Sequence, residues 1–210
     1  MKNKFVIGYY NLANFVTLTG LVCAVLACFM AASGNHFLAM LTLSLAALCD
    51  ATDGRIARAN RSATNRSRFY GVQLDSLCDM VSFGAVPCYI AYQMGYNGII
   101  DILLYLLFCV CGATRLANFN TEAAVDSPDL KLKHFTGVPI PFSAVLLPLL
   151  VIVHMLAGHL SILFRLAFLV VGIGYVVRVK VPKPDGKAQA IIGAYMLACL
   201  IAIFVIQLVK

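Results

Sequence analysis

Charge is scarce in this sequence. Asp, Glu, Lys and Arg make up 12% of its 210 residues, against about 25% in a soluble domain. The remainder is 61% hydrophobic, with a mean hydropathy of +0.89. Such a chain is too apolar to be disordered, and has too little polar cover for an ordinary soluble domain. It also lacks any C-x-x-C pair. Its eight cysteines (23, 28, 49, 78, 88, 109, 111 and 199) all lie in apolar stretches. That excludes a secreted disulfide scaffold and reads as small thiols used for packing. Cys109 and Cys111 point to different faces of a helix, so they do not form a metal clip. What remains is a polytopic membrane protein.

Seven apolar runs are long enough to span a bilayer, at about 12–33, 36–58, 70–95, 98–119, 138–157, 160–179 and 188–209. Each approaches the roughly 20 residues a span needs. The expected fold is an all-α transmembrane bundle of six to eight spans, best read as seven, forming a single integral-membrane domain over 1–210. Lys2 and Lys4 precede the first run, which reads as a retained helix because Ala32-Ser33-Gly34 makes a weak cleavage site. The gaps at 33–35, 95–98 and 157–160 are short and imply antiparallel hairpins.

The longer gaps carry the basic residues. Lys2, Lys4, Arg55, Arg58, Arg61, Arg66, Arg68, Arg115, Lys131, Lys133, Arg178, Lys180, Lys183 and Lys187 fall on one side. Arg165 and Lys210 are the exceptions. By the positive-inside rule that side is cytoplasmic. The net charge of +7 is then explained by anionic headgroups, and no nucleic acid is needed.

Of nine acidic residues, Asp101, Glu122, Asp126, Asp129 and Asp185 sit in loops or at span ends and are expected to be solvated. Asp50, Asp53, Asp75 and Asp79 lie within or at the basic ends of spans two and three. Asp50 and Asp53 (i, i+3) share one helix face, and Asp75 and Asp79 (i, i+4) share another. The two spans run antiparallel, so the pairs can face each other. Four carboxylates at close range cannot all stay ionised without cations between them. Oxygen-only ligands suit Mg²⁺ or Mn²⁺, and four carboxylates can hold two such ions for chemistry at phosphorus. Gly54, Ala57 and Gly71 read either as helix-packing residues or as space for a bulky anionic ligand.

Asp50-x₂-Asp53-Gly54-x₂-Ala57-Arg58 … Gly71-x₃-Asp75-x₃-Asp79 resembles the signature of the CDP-alcohol phosphatidyltransferases. LDSLCDMVSFGAVP (74–87), CGATRLANFN (111–120) and FTGVPIP (135–141) look like the phosphatidylserine synthase branch, and the resemblance covers about 12–185. One departure is the spacer. The family usually has about eight residues between the Arg and the Gly, whereas here Ala59 to Tyr70 makes twelve.

The resemblance implies a homodimeric enzyme that transfers the phosphatidyl group from CDP-diacylglycerol to L-serine and releases CMP. It implies metal ligation by Asp50, Asp53, Asp75 and Asp79, with Asp79 also the general base. Gly54, Ala57 and Arg58 would contact the CDP part, with Gly71 beside them. Asn14 and Thr17 would line the nucleotide site. Arg115, in the serine-synthase-like run, is the candidate reader of the serine carboxylate, and Asn118 shares its face at i+3. Two rivals stay open: a sister enzyme accepting glycerol 3-phosphate or an inositol phosphate, and a divalent cation transporter.

Overall fold

A computed structural model describes residues 7–60, 64–125, 134–182 and 186–209. Lys2, Lys4, Arg61, Lys131, Lys133, Lys183, Lys210, Asp126, Asp129 and Asp185 lie outside the described residues.

Each of the seven expected runs forms a helical rod. The helices are α1 (Leu12–Ala32), α2 (His36–Ala59), α3 (Asn65–Asp79), α4 (Val86–Gln93), α5 (Ile99–Val125), α6 (Phe142–Ala157), α7 (Ser161–Val176) and α8 (Gly186–Val209). A π-helical segment, Met80–Ala85, joins α3 to α4 in one continuous rod. Asn11, Asn35 and Thr64 start α1, α2 and α3 with side-chain oxygens that accept from backbone N–H groups of the first turn. Five rods are long and apolar enough to cross a membrane, so this is an integral membrane protein.

The other two rods, α6 and α7, are 16 residues each. That gives about 24 Å at 1.5 Å per residue, short of a hydrocarbon core of about 30 Å. The runs expected at 138–157 and 160–179 are therefore only partly helical. Pro139 and Pro141 lack the N–H groups a continuing helix needs. Past α7 the chain enters a short antiparallel ladder of β1 (His134–Thr136) and β2 (Lys180–Pro182), with Phe135 opposite Val181. Gly137 closes the corner at φ +81°. Its N–H donates to the Val179 carbonyl at 2.8 Å, and a Cβ there would lie 2.7 Å from the Tyr175 carbonyl oxygen.

The tightest helix pair is α1 with α2. The buried face of α1 carries Ala13, Asn14, Thr17, Gly20, Ala24, Ala27 and Ala31, a stripe of small residues at helical spacing. A Cβ on Gly20 would come within 3.0 Å of the Cys49 side chain. Small residues let the backbones approach, which is how helices associate where no water drives them together. The aromatic core lies elsewhere, where Phe108 and Phe168 meet edge to face at 5.1 Å and Phe108 packs on Tyr175 at 5.1 Å.

The π-helical segment has a local cause. Pro87 has no N–H to offer the carbonyl four residues earlier, at Phe83. That carbonyl accepts instead from the Ser143 hydroxyl of α6 at 2.7 Å. The Cys88 thiol donates to the Gly84 carbonyl at 3.2 Å. The widened turn is thus where α6 meets this rod, four residues past Asp79.

Asp101 corrects an expectation. It was expected to be solvated, yet it is only 4% exposed and accepts from Arg165 Nε at 2.7 Å and Nη2 at 3.2 Å. The Gly98 N–H also donates to it at 3.1 Å. The pair ties the start of α5 to α7 at the end remote from the basic loops, which accounts for Arg165 as an outlier among the cations.

Gly137→Ala combines a positive φ with a carbonyl clash, and is expected to cost about 2–3 kcal/mol. Gly34→Ala has a similar φ of +75° but nothing within 4 Å, and is expected to cost about 1 kcal/mol. Thermal unfolding of the two variants in detergent measures the difference.

Candidate metal and catalytic site

The acidic residues converge as helical arithmetic requires, with one rearrangement. Asp50 of α2 and Asp75 and Asp79 of α3 each offer an oxygen within 4.8 Å of the others. Asp53, 5% exposed, stands beside this trio and accepts a short hydrogen bond from the Thr17 hydroxyl of α1. The expected two-against-two arrangement is therefore three plus one, because α1 is a third wall that captures the fourth carboxylate. A small cavity lies among these groups, lined also by Gly20, Cys78, Ser82 and Phe83.

Asp75 Oδ1 is buried and has no hydrogen-bond partner. An orphaned carboxylate oxygen, aimed among two further carboxylates in an apolar bundle, is a large cost unless a cation meets it. The donor set is all oxygen and anionic, which matches a hard divalent ion. The residues present therefore fit such an ion.

The neighbours of the trio differ in depth. Asn14 is buried, and its Nδ2 donates to the Tyr9 carbonyl at 2.6 Å. A Cβ on Gly71 would lie 3.3 Å from Asn14 Oδ1, so glycine keeps α1 and α3 close there. Arg58 Nη1 would lie 3.2 Å from a Cβ on Gly54. The guanidinium thus folds back along its own helix over the glycine. Ala57 and Arg58 are exposed at the rim, outside the cavity lining. In the twelve-residue spacer, α2 runs one residue past Arg58 and α3 starts six residues before Gly71. The added length is thus largely helix at the start of α3.

Arg115 of α5 is 8% exposed, and its Nε is buried without a partner. Gly112, one turn earlier, faces the π-helical segment, where a Cβ would lie at an ordinary packing distance of 3.6 Å from Met80 Sδ. Asn118 is not brought to the site. It is exposed, and its Nδ2 donates to Glu122 Oε1 at 2.8 Å. At i+3 from Arg115 it was expected to share its face, but the local i, i+4 pair with Glu122 holds it outward.

Ser82 was missed from the sequence, although i+3 from Asp79 and i+7 from Asp75 put it on the same stripe. Gly20 also escaped notice, since a lone glycine in an apolar run carries no chemical signal. A second polar contact, Ser76 Oγ donating to Asn120 Oδ1 at 2.8 Å, depends on the α3–α5 register and had no local signature.

Comparison with known proteins adds an independent line. A family model described as CDP-alcohol phosphatidyltransferase matches residues 10–209, which takes in α8 as well as the acidic motif. A Helicobacter pylori protein named CDP-diacylglycerol–serine O-phosphatidyltransferase is 33% identical over 180 residues, covering 83% of this chain and 73% of its own. A Saccharomyces cerevisiae protein of the same name is 40% identical over 109 residues, covering 50% of this chain and 37% of its own. The archaetidylserine synthase of Methanothermobacter thermautotrophicus is 30% identical over 146 residues, covering 69% of this chain and 59% of its own.

Purified protein is expected to bind Mn²⁺, read by the loss of the free-ion electron paramagnetic resonance signal on titration. Asp75→Asn should weaken that binding by at least about tenfold, since metal ligands are rarely replaceable without such a loss. Unchanged binding would remove Asp75 from the ligand set.

Proposed function

The chain belongs to the CDP-alcohol phosphatidyltransferase family, and from that premise we propose that it transfers the phosphatidyl group of CDP-diacylglycerol to the hydroxyl of L-serine, releasing CMP. The whole chain acts as one catalytic unit. The observation that carries the acceptor assignment is Arg115, a single buried cation with an unpartnered Nε beside the acid cluster. One guanidinium matches one carboxylate, whereas a phosphorylated acceptor calls for several cations.

Asp50, Asp53, Asp75 and Asp79 would hold two divalent ions, Mg²⁺ or Mn²⁺, which when bound supply neutralisation of the diphosphate and of the departing CMP phosphate. The chain's own groups do the rest. Arg58 swings from its rest over Gly54 to place a planar fork on a phosphate oxygen. Gly54, Ala57 and Gly71 leave room for the nucleotide, with Asn14 and Thr17 along its inner edge. Arg115 holds the serine carboxylate and so aims the hydroxyl at phosphorus. Asp79 takes the hydroxyl proton as the serine oxygen bonds to the β-phosphorus and the bond to the CMP oxygen breaks. Asn118, bonded to Glu122 on the exposed face, has no part in this arrangement.

The basic loops support a site that opens to the cytoplasm across an inner membrane. The lipid tails enter sideways between helices, and the protein works as a homodimer. A cation path would need polar groups across the full depth of the bundle. Beyond the acids, the core of described residues runs into Phe83, Met40, Leu43 and Ile90, all at most 1% exposed.

Purified protein with CDP-diacylglycerol and Mn²⁺ or Mg²⁺ is expected to release CMP with L-serine. Neither glycerol 3-phosphate nor an inositol phosphate should replace it, and release only with a phosphorylated acceptor would overturn the serine assignment. Asp79→Asn should reduce turnover by at least about a thousandfold, combining lost base and lost ligand. Arg115→Lys should raise the KM for serine about tenfold or more, because an ammonium cannot reproduce a bidentate carboxylate contact.

A further inference from the structure

The rod carrying Asp75 and Asp79 has a second polar face. Gln73 and Ser76, at i and i+3, point toward α5 and meet a single side chain there. Ser76 Oγ donates to Asn120 Oδ1 at 2.8 Å, and Asn120 Nδ2 donates to Gln73 Oε1 at 3.2 Å. Ser76 is 7% exposed. The Asn120 amide therefore uses both of its ends on α3, bridging nearly one helical turn of it.

Arg115 lies five residues before Asn120 on the same helix, about 7.5 Å along the axis. It makes no ion pair within 4 Å among the described residues, where Asp101–Arg165 is the pair present. With Nε unpartnered, its height relative to Asp79 follows from the axial register of α5 on α3. Gly112 packs against Met80 at ordinary van der Waals distance. Approach alone leaves the helices free to slide, and a bidentate amide across them does not. Interhelical hydrogen bonds in membranes are individually modest. Such a bond is too weak to decide whether the bundle folds, yet strong enough to shift a guanidinium relative to its ligand.

We propose that Gln73, Ser76 and Asn120 form a polar clamp that positions Arg115 to receive the acceptor carboxylate. The clamp rests on the serine reading above. Its members touch neither substrate nor metal, so they are positioning residues and act through α5.

Steady-state kinetics of the full-length protein in detergent, with CDP-diacylglycerol, Mn²⁺ and L-serine, provide the test. Asn120→Ala is expected to raise the KM for serine roughly five- to tenfold, a displaced charge-assisted contact being worth about that much. The KM for CDP-diacylglycerol should stay within about twofold. Ser76→Ala combined with Asn120→Ala should be no worse than Asn120→Ala alone, because both remove one interaction. Ser76→Thr, which keeps the hydroxyl, should behave as the parent protein. Should Asn120→Ala fail to fold, Gln73→Ala gives the same reading from the half-buried end of the clamp. An unchanged serine KM, an equal rise in both KM values, or additive losses in the double variant would overturn the clamp. If the unmodified protein ignores serine, the functional reading fails and the clamp's acceptor role fails with it. Activity with serine alongside a silent Asn120→Ala removes the clamp alone.

Discussion

Three carboxylates within 4.8 Å of one another inside an apolar bundle are the constraint on which the rest of this structure turns. Like charges at that range in a medium of low dielectric repel far more strongly than in water. The bundle meets this partly by supplying donors, such as the Thr17 hydroxyl on Asp53. It also leaves a cavity in which Asp75 Oδ1 has no partner in the protein. A divalent ion resolves both problems.

The surrounding architecture frames that cluster. The small-residue stripe of α1 lets α1 and α2 close on each other, so that α1 reaches Asp53. The π-helical turn after Asp79, set by Pro87 and stabilised through Ser143, joins α6 to the rod that carries Asp75 and Asp79. α5, with its buried Arg115, packs beside that segment. Away from the site, the Asp101–Arg165 pair and the aromatic contacts of Phe108 and Phe168 join α5 to α7. Among the described residues buried charge is thus gathered at two places, the Asp101 end and the aspartate cluster with Arg115, with an apolar core between them.

The four aspartates were legible because a helix repeats every 3.6 residues and charge in a membrane is rarely idle. Seven rods were legible for the same reason, since length and hydropathy report span capacity directly. The short α6 and α7 were not, because their runs stay apolar outside the helices: before α6, where Gly137, Pro139 and Pro141 lie, and after α7, where Val177 turns extended. Asp101 read as solvated because its partner is 64 residues away in sequence. Asn118 read as a site residue because periodicity sets a face only approximately, and its pairing with Glu122 settled the side chain outward.

What the sequence alone determined is the chemistry: which helices carry carboxylates, at what spacing, and which end of the bundle is basic. Those properties are periodic or compositional and survive without knowledge of the fold. Only the tertiary structure decided that Asp53 meets Thr17 beside the trio, that Arg115 is buried with an unpartnered nitrogen, and that Asn120 bridges to Ser76 and Gln73. Each of these depends on the distance and register between separate helices. Helix register comes from packing small residues, prolines and glycines against one another, and no local pattern in the chain encodes it.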